Sequence, residues 1–211
     1  NYFPARMCTD GSEKQKKMNK NIIISGVGGQ GILTMASIID LAAMNLGLNV
    51  KQAEVHGMSQ RGGAVESHLR ISSGEIFSDL IPKGKADLIL SIEPMESLRY
   101  LPFLSPDGVI VTATEPYVNI GNYPDEKELL ETIANSANHV FVNAGLLAKE
   151  AGSAKSYNVV MLGAAAPYLE IATEELEKAI GMVVNRKGKE MVDLNIKAFR
   201  LGWANSLNEQ K

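Results

Sequence analysis

The chain of 211 residues is 45% hydrophobic and has 21 lysine and arginine residues against 24 aspartate and glutamate residues, a formal net charge of −3. This length is enough for one sizeable hydrophobic core, so a single domain is expected. The near-neutral charge shows no basic face that would favour a nucleic-acid partner, and no run of about 18 apolar residues is present that would span a membrane.

The two ends of the chain are expected to lie outside the folded domain. Residues 1–20 are polar and lack the apolar segment of a secretory signal, so they predict a flexible N-terminal tail. The domain is expected to span residues 21–204, and residues 205–211 form a predicted C-terminal tail. The single cysteine, Cys8, falls in the N-terminal tail. Residues 21–204 therefore lack a thiol for a disulfide, a nucleophile or an iron–sulfur cluster, which fits a cytoplasmic protein.

The domain is predicted to begin with a βαβ unit. Asn21–Ser25 is a continuously apolar, β-branched run, which is typical of a strand buried on both faces of a sheet. Apolar residues then recur at helical spacing from Gln30 to Leu46, and Gly47 is expected to end that helix. Asn49–Val55 is a second predicted strand. This order predicts a right-handed crossover between parallel strands.

Further strands and helices follow along the chain. Val65–Ile71 and Glu75–Ser78 flank a Ser-Ser-Gly turn and predict a β-hairpin. Pro94 is expected in the first turn of one helix, and an N-cap pattern at Asp125 predicts another that extends to about Asn135. Other predicted strands are Asp87–Ile92, Val109–Ala113 and His139–Asn143. Other predicted helices are Leu146–Ala151, Asn158–Leu169, Thr173–Gly181 and Gly188–Ala204. The elements predict a three-layer α/β/α, Rossmann-like domain with a mostly parallel, mixed sheet and a helical C-terminal section.

A glycine motif lies between the first strand and the first helix. The residues Gly26-Val27-Gly28-Gly29-Gln30-Gly31 match G-x-G-x-x-G, in which the backbone can approach an oxyanion at a helix N-terminus. Glu54 ends the second strand about twenty residues further on, where a dinucleotide-binding fold has its ribose-binding acid. Three interpretations stay open: a dinucleotide site, a site for another phosphate-bearing ligand, or glycines that only allow the helix to pack against the strand.

A second motif runs from His56 to Arg70. Its glycines and polar residues predict a shaped loop over Gly57–Gly63 near the surface. Arg61 can bind a phosphate or carboxylate bidentately, or it can pair with an acid on a partner subunit. His56 is a candidate general acid or base, but no nucleophile accompanies it, and a hydrogen-bonded loop or interface histidine is the alternative. The spacing of the three histidines indicates no metal site.

Together the two motifs resemble the gamma-type domain of the 2-oxoacid:ferredoxin oxidoreductases. The shared residues are G-V-G-G-Q-G-I at Gly26–Ile32 and R-G-G at Arg61–Gly63. Longer stretches are similar to the beta-subunit group of the indolepyruvate oxidoreductases, and the resemblance covers nearly all of residues 18–204. These stretches are Glu54–Val65, Ser91–Tyr100 and Asn195–Phe199 followed by Gly202.

The resemblance implies the oxidative decarboxylation of an arylpyruvate on thiamine diphosphate, transfer of electrons through 4Fe-4S clusters to ferredoxin, and transfer of the acyl group to coenzyme A. It implies that a large alpha subunit holds the thiamine diphosphate, the magnesium ion and the clusters. This chain is then expected to hold no cofactor alone, to be inactive alone, to complete the active-site wall and to bind coenzyme A at the glycine loop. The residues expected to contact coenzyme A are Gly28, Gly29, Gln30, Gly31, Ser59, Gln60, Arg61, Gly62 and Gly63.

Other functions stay open at this point. The chain can be the gamma subunit for pyruvate, 2-oxoglutarate or 2-oxoisovalerate, an independent Rossmann-like nucleotide-binding protein, or a structural scaffold whose glycines touch no ligand. The segment Glu93–Leu104 is a candidate contact surface for the large subunit, and ordinary core packing is its alternative interpretation.

Overall fold

The computed structural model describes residues 17–56, 62–118 and 121–209, with the backbone alone at His56 and Lys187. Its centre is one six-stranded sheet. The strands are β1 (Asn19–Val27), β2 (Asn49–His56), β3 (Ala64–Ser72), β4 (Ala86–Ser91), β5 (Leu104–Ala113) and β6 (Asn138–Val142). In space they follow the order β2-β3-β1-β4-β5-β6. β3 runs antiparallel to both of its neighbours, whereas β1, β4, β5 and β6 pair in parallel.

Helices cover both faces of the sheet. They are α1 (Ile32–Asn45), α2 (Pro94–Arg99), α3 (Glu126–Ser136), α4 (Ala144–Ala151), α5 (Tyr157–Leu169), α6 (Thr173–Val184) and α7 (Lys189–Glu209). Successive side chains of a strand point to opposite faces, so Ile22 and Ile24 pack with α1 and α4–α7, and Ile23 packs with α2 and α3. The predicted three-layer α/β/α domain with a mixed sheet is confirmed. No helix within the described ranges is long and apolar enough to cross a membrane.

The order in which the chain adds strands to the sheet reverses between β1 and β4, although these two strands are parallel. From β1 the chain passes through α1 to β2 on one side, and from β4 it passes through α2 to β5 on the other. The predicted parallel relation of β1 and β2 is confirmed, although β3 lies between them. In open α/β sheets such a reversal leaves a crevice at the carboxyl ends of the strands, where ligands bind.

The hairpin predicted around Ser72 is wrong. β3 pairs with β2 and β1 instead, and residues 75–78 form no strand. Side chains of β3 bind the backbone of the following segment: Arg70 Nη1 donates to the Ser78 carbonyl at 2.9 Å, and His68 Nδ1 accepts from the Ile81 N–H at 3.1 Å. These bonds satisfy polar groups that a hairpin ladder would otherwise pair.

The predicted tails are too long at both ends. β1 begins at Asn19, and Met18 packs against the main core, so the folded domain includes residues before position 21. α7 continues to Glu209 because its last turns are anchored: Ser206 is fully buried, and Asn205 Nδ2 donates to the Phe141 carbonyl at 3.1 Å. Residues 1–16 and 210–211 lie outside the described part of the chain.

α5 and α7 cross in direct backbone contact at two glycines. A Cβ atom on Gly163 would lie 1.9 Å from the Phe199 carbonyl oxygen, and one on Gly202 would lie 1.9 Å from the Val160 carbonyl oxygen. No larger residue fits at either position without moving a helix. This contact fixes the N-terminus of α5 against the carboxyl edge of the sheet, where the candidate site lies.

The segment Glu93–Leu104 packs mainly into the smaller hydrophobic cluster, the one on the α2 and α3 face of the sheet that contains Ile23, Ile89 and Ile110. Tyr100 is buried, Met95 and Leu98 pack against the cluster, and the Phe103 ring meets the His68 ring edge-on at 5.4 Å. Core packing therefore explains the apolar residues of this segment.

Candidate functional site

The glycine loop connects β1 to α1 at the carboxyl edge of the sheet. Gly29 and Gly31 have φ angles of 99° and 84°, a region that residues with a side chain rarely adopt. Gln30 closes the turn, since its Oε1 accepts the Val27 N–H at 2.7 Å and its own N–H donates to the Val27 carbonyl at 3.1 Å. The loop is therefore a preformed turn, and the amide oxygen of Gln30 is used to hold it.

Asn158, in the first turn of α5, contacts the glycine loop and helps to hold it in place. It is buried, and its Nδ2 donates to the Gly31 carbonyl at 3.4 Å. A Cβ atom on Gly31 would lie 2.5 Å from the same nitrogen. The loop thus depends on a residue more than a hundred positions away in sequence, which the motif alone does not indicate.

The structure brings the described parts of the two sequence motifs together. The Gly28 N–H donates to the Gly63 carbonyl at 2.9 Å, so the end of the second motif lies directly on the glycine loop. The predicted contact residues Gly28–Gly31, Gly62 and Gly63 are therefore grouped at one edge. Ser59, Gln60, Arg61 and the side chain of His56 lie outside the described residues.

Two cavities flank the glycine loop. One, of about 430 Å³, is lined by Gly28–Gln30 together with Ile92, Glu115, Tyr117, Gly145 and Tyr157. The other, of about 320 Å³, is lined by Val27–Thr34 together with Glu54 and Val65. A larger cavity of about 1070 Å³ lies where β1, β4, β5 and β6 begin, at the opposite edge of the sheet. The two smaller cavities lie at the sheet reversal and are the candidate ligand sites.

Glu115, which sequence reasoning missed, occupies the N-terminus of α4. Its carboxylate accepts the N–H groups of Gly145 at 2.7 Å and Ala144 at 3.2 Å. By contrast, α1 begins at Ile32, its N-cap residue Gly31 provides no side-chain cap, and its first turn contains no acid. A negatively charged ligand is therefore favoured at α1, since the α4 terminus already holds a carboxylate. The sequence signal that could have indicated Glu115 is the presence of an acid just after the apolar strand β5.

Glu93 anchors the loop after β5 from the interior. It is buried, it caps α2 by accepting the Glu96 N–H at 2.8 Å, and it accepts hydrogen bonds from the Tyr123 hydroxyl and from the Tyr117 N–H at 3.4 Å. Burial raises the pKa of Tyr123 above its usual value, and the carboxylate raises it further. These bonds fix the chain that carries Glu115 and Tyr117 into the larger of the two flanking cavities.

Tyr157 forms part of the wall of the same cavity. Burial raises the pKa of this tyrosine, so its phenol stays neutral and can donate a hydrogen bond to a ligand. Ile92 and Tyr117 add apolar surface beside it. This cavity therefore combines apolar walls with a few polar groups, as small-molecule sites do.

The described residues offer no donor set for an iron–sulfur cluster or a magnesium–diphosphate centre. Within residues 17–56, 62–118 and 121–209, no group of three histidine, cysteine, aspartate or glutamate residues is placed to hold a metal ion. The only cysteine of the sequence, Cys8, lies outside those ranges. By contrast, the glycine loop at the α1 N-terminus fits a phosphate group.

These features define a doubly wound α/β domain with a glycine turn and two flanking cavities at its sheet reversal. Residues 21–204 match the family model described as pyruvate ferredoxin/flavodoxin oxidoreductase. The chain belongs to this family.

Two relatives from Archaeoglobus fulgidus show how similarity varies within the family. The chain is 40% identical to the indolepyruvate oxidoreductase subunit IorB over 200 residues, covering 90% of this chain and 97% of the relative. It is 25% identical to the 2-oxoglutarate synthase subunit KorC over 183 residues, covering 87% and 86%.

Solved structures share the fold. A 2-oxoglutarate:ferredoxin oxidoreductase from Magnetococcus marinus, solved with 2-oxoglutarate, coenzyme A and succinyl-CoA bound, superposes with a TM-score of 0.73 at 24% identity over 92% of this chain and 32% of the longer one. The gamma subunit of a keto/oxoacid ferredoxin oxidoreductase from Geobacter sulfurreducens superposes with a TM-score of 0.66 at 28% identity over 90% and 99%.

Proposed function

We propose that this chain is the small subunit of a 2-oxoacid:ferredoxin oxidoreductase that converts indolepyruvate and related arylpyruvates to the acyl-CoA while reducing ferredoxin. The observation that carries the proposal is the contact between the two motifs through the Gly28–Gly63 hydrogen bond, in a chain 40% identical to an indolepyruvate oxidoreductase subunit. The 25% identity to the 2-oxoglutarate synthase subunit supports indolepyruvate over 2-oxoglutarate.

The role of this chain in the enzyme is to bind coenzyme A at the glycine loop. The N-terminus of α1 carries no side-chain cap, and the space beside the Gly29 Cα is open to 4 Å. A diphosphate placed there accepts N–H groups and lies at the positive end of the helix dipole. Because cavities of about 430 and 320 Å³ flank the loop, the two parts of coenzyme A that its diphosphate joins can each occupy one cavity. Arg61 is the expected side-chain partner of the diphosphate.

The remaining cofactors belong to the larger alpha subunit in this proposal. We place the 4Fe-4S clusters there because the only cysteine of this chain, Cys8, precedes residues 21–204. We place thiamine diphosphate and its magnesium ion there because no acidic or histidine cluster among the described residues is arranged to hold a metal ion. When bound there, these groups supply the decarboxylation and electron transfer, and this chain supplies the wall that orients coenzyme A. The separate chain is therefore inactive, and the assembled enzyme works in the cytoplasm with ferredoxin as acceptor.

Substrate choice is tested with the assembled enzyme. Anaerobic rates of dye reduction are compared for indolepyruvate, phenylpyruvate, pyruvate and 2-oxoglutarate, each with coenzyme A. We expect the two arylpyruvates to have the highest kcat/KM. A preference for pyruvate or 2-oxoglutarate would assign the chain to another branch of the family.

Coenzyme A binding is tested by Gly29→Ala in the assembled enzyme. A methyl group at this position enters the open space of the loop and strains a φ angle of 99°. We expect the KM for coenzyme A to rise about tenfold, equivalent to about 1.4 kcal/mol of binding. The matched control is Gly47→Ala, since Gly47 also has a positive φ, 73°, and open space but ends α1 at the opposite edge. An unchanged KM for coenzyme A in Gly29→Ala would show that coenzyme A does not bind at the glycine loop.

Independent nucleotide binding is the second candidate, because Glu54 lines the smaller cavity beside the glycine loop. An acid in that place can bind the ribose of a dinucleotide. Calorimetric titration of the isolated chain with NAD and with coenzyme A separates the candidates. Micromolar binding of NAD by the chain alone would favour independent nucleotide binding.

A further inference from the structure

Large apolar side chains are exposed around the mouths of the two cavities. Leu33 lies in the first turn of α1, Tyr117 and Val118 follow β5, and Leu146 lies in the first turn of α4. Their exposed fractions are 49%, 45%, 65% and 61%. Because both helices begin where strands end, all four residues lie at the carboxyl edge of the sheet. We call them the carboxyl-edge patch.

The patch is continuous with the candidate ligand site. Leu33 lines the smaller flanking cavity, Tyr117 lines the larger one, and Leu146 follows Gly145, which also lines the larger one. Within α4, Leu146 is solvent-exposed like Lys149 and Glu150, whereas the alanines of the helix face the core. Single exposed leucines are common, but several apolar side chains grouped around a binding site indicate a protein interface.

The cavity at the opposite edge of the sheet has a different character, although Met44 and Leu46 are exposed where α1 ends on that side. The cavity of about 1070 Å³ there is lined by charged groups of both signs, which include Lys20, Asp87 and Asp107. Lys20 is also paired with Glu170 at 3.0 Å. A cavity lined by charged groups loses more on desolvation than an apolar surface does. The carboxyl edge is therefore the better surface for a stable protein contact.

We propose that the carboxyl-edge patch is the surface through which this chain binds the large alpha subunit, and that the alpha subunit thereby closes the two cavities. The inference rests on the proposed function, since it takes the alpha subunit from there. In the Magnetococcus structure this fold accounts for 32% of a longer chain, whereas the Archaeoglobus relative is 97% covered by it. A separate chain needs a noncovalent surface in place of that covalent connection.

The same edge must face the reacting groups. In the proposed function coenzyme A lies at the glycine loop and the thiamine diphosphate lies on the alpha subunit, so the two subunits meet where the cavities open. A second copy of this chain fits less well, because a symmetric contact here would bring two copies of Glu54 and Glu115 toward one another. Like charges placed together across an interface oppose association.

The test measures the affinity of the isolated chain for the purified alpha subunit by biolayer interferometry. The variant is Leu146→Gln with Val118→Ser, two exposed positions that line neither cavity. The matched control is Met44→Gln, which is also 61% exposed on a helix but lies in the last turn of α1 at the opposite edge. Thermal melting of each variant checks that the fold is intact.

We expect the double variant to bind the alpha subunit at least tenfold more weakly, with no change in Met44→Gln. Wild-type affinity in the double variant, or an equal loss in Met44→Gln, would overturn the proposal. Loss of self-association in the double variant with unchanged alpha-subunit binding would overturn it in favour of a second copy.

The same proteins separate this proposal from the proposed function. If the double variant binds normally and the wild-type pair oxidises arylpyruvates, the surface is wrong and the function stands. If the double variant binds weakly but the wild-type pair oxidises no 2-oxoacid, the surface is supported and the proposed function fails.

Discussion

The Gly31→Ala substitution tests whether α5 holds the glycine loop in place. Gly31 has a φ of 84°, and a Cβ atom there would lie 2.5 Å from Asn158 Nδ2. The backbone strain of a residue with a side chain in this region costs about 1–2 kcal/mol. Displacement of the Asn158 amide also breaks its hydrogen bond to the Gly31 carbonyl, which is worth about 1 kcal/mol. We therefore expect a loss of about 2–3 kcal/mol in the free energy of unfolding.

A double-mutant cycle separates the two contributions. Asn158→Ala alone removes the hydrogen bond and should cost about 1 kcal/mol, but it also removes the atoms that the new methyl group would meet. In the Asn158→Ala background, Gly31→Ala should therefore cost only the strain. The coupling between the two substitutions is expected to be about 1 kcal/mol. Gly47→Ala, with a φ of 73° and open space, is the control for strain without this contact.

The assay is urea unfolding of the purified chain followed by circular dichroism, with a common m-value across the four proteins of the cycle. Additive losses, within about 0.5 kcal/mol, would show that Asn158 does not hold the loop. A coupling between Gly47→Ala and Asn158→Ala as large as that of Gly31→Ala would show that the cycle reports a general loss of stability.

Two more substitutions follow from the same structure. Burial raises the pKa of Asp40 from 3.8 to about 7, so the folded chain holds this proton up to about pH 7 while the unfolded chain releases it near pH 4. Stability is therefore lost as pH rises through this window. Asp40→Asn should raise the free energy of unfolding by about 1–3 kcal/mol at pH 8, after allowance for partial exposure, with no gain at pH 4. An equal gain at both pH values in urea unfolding would contradict this. Gly163→Ala places a methyl carbon 1.9 Å from the Phe199 carbonyl oxygen and should cost at least about 3 kcal/mol, so a thermal midpoint within 2 °C of wild type would contradict the close crossing of α5 and α7.

Local patterns in the sequence predicted most of the fold. The apolar run within β1, the glycine turn after it and the helical spacing of α1 predicted the first unit correctly. Asp125 caps α3 as predicted, since its Oδ1 accepts the N–H groups of Lys127 at 3.0 Å and Glu128 at 3.1 Å. Pro94 is at the first position of α2, also as predicted. Each of these signals is a chemical preference of residues close together in the chain.

The errors arise where distant residues decide the structure. The pairing of β3 with both β1 and β2 is long-range, and the Ser-Ser-Gly turn after β3 suggested a local hairpin instead. Only α7 packing, with Ser206 buried, shows that the helix continues past residue 204. Hydrogen bonding across the domain likewise places Asn158 under the glycine loop and Glu115 at α4. Sequence motifs therefore found the loop and Gln30, which closes it, but not Asn158 and Glu115, which are distant in sequence.

We propose that this chain completes an arylpyruvate-oxidising enzyme whose reactive cofactors belong to the alpha subunit. The most direct measurement is an anaerobic titration of this chain into a fixed amount of purified alpha subunit, with dye reduction dependent on indolepyruvate and coenzyme A as the readout. We expect almost no activity from either subunit alone and a saturable rise to a fixed ratio of chains. Full activity of the alpha subunit alone, or no activity at any ratio, would contradict the claim.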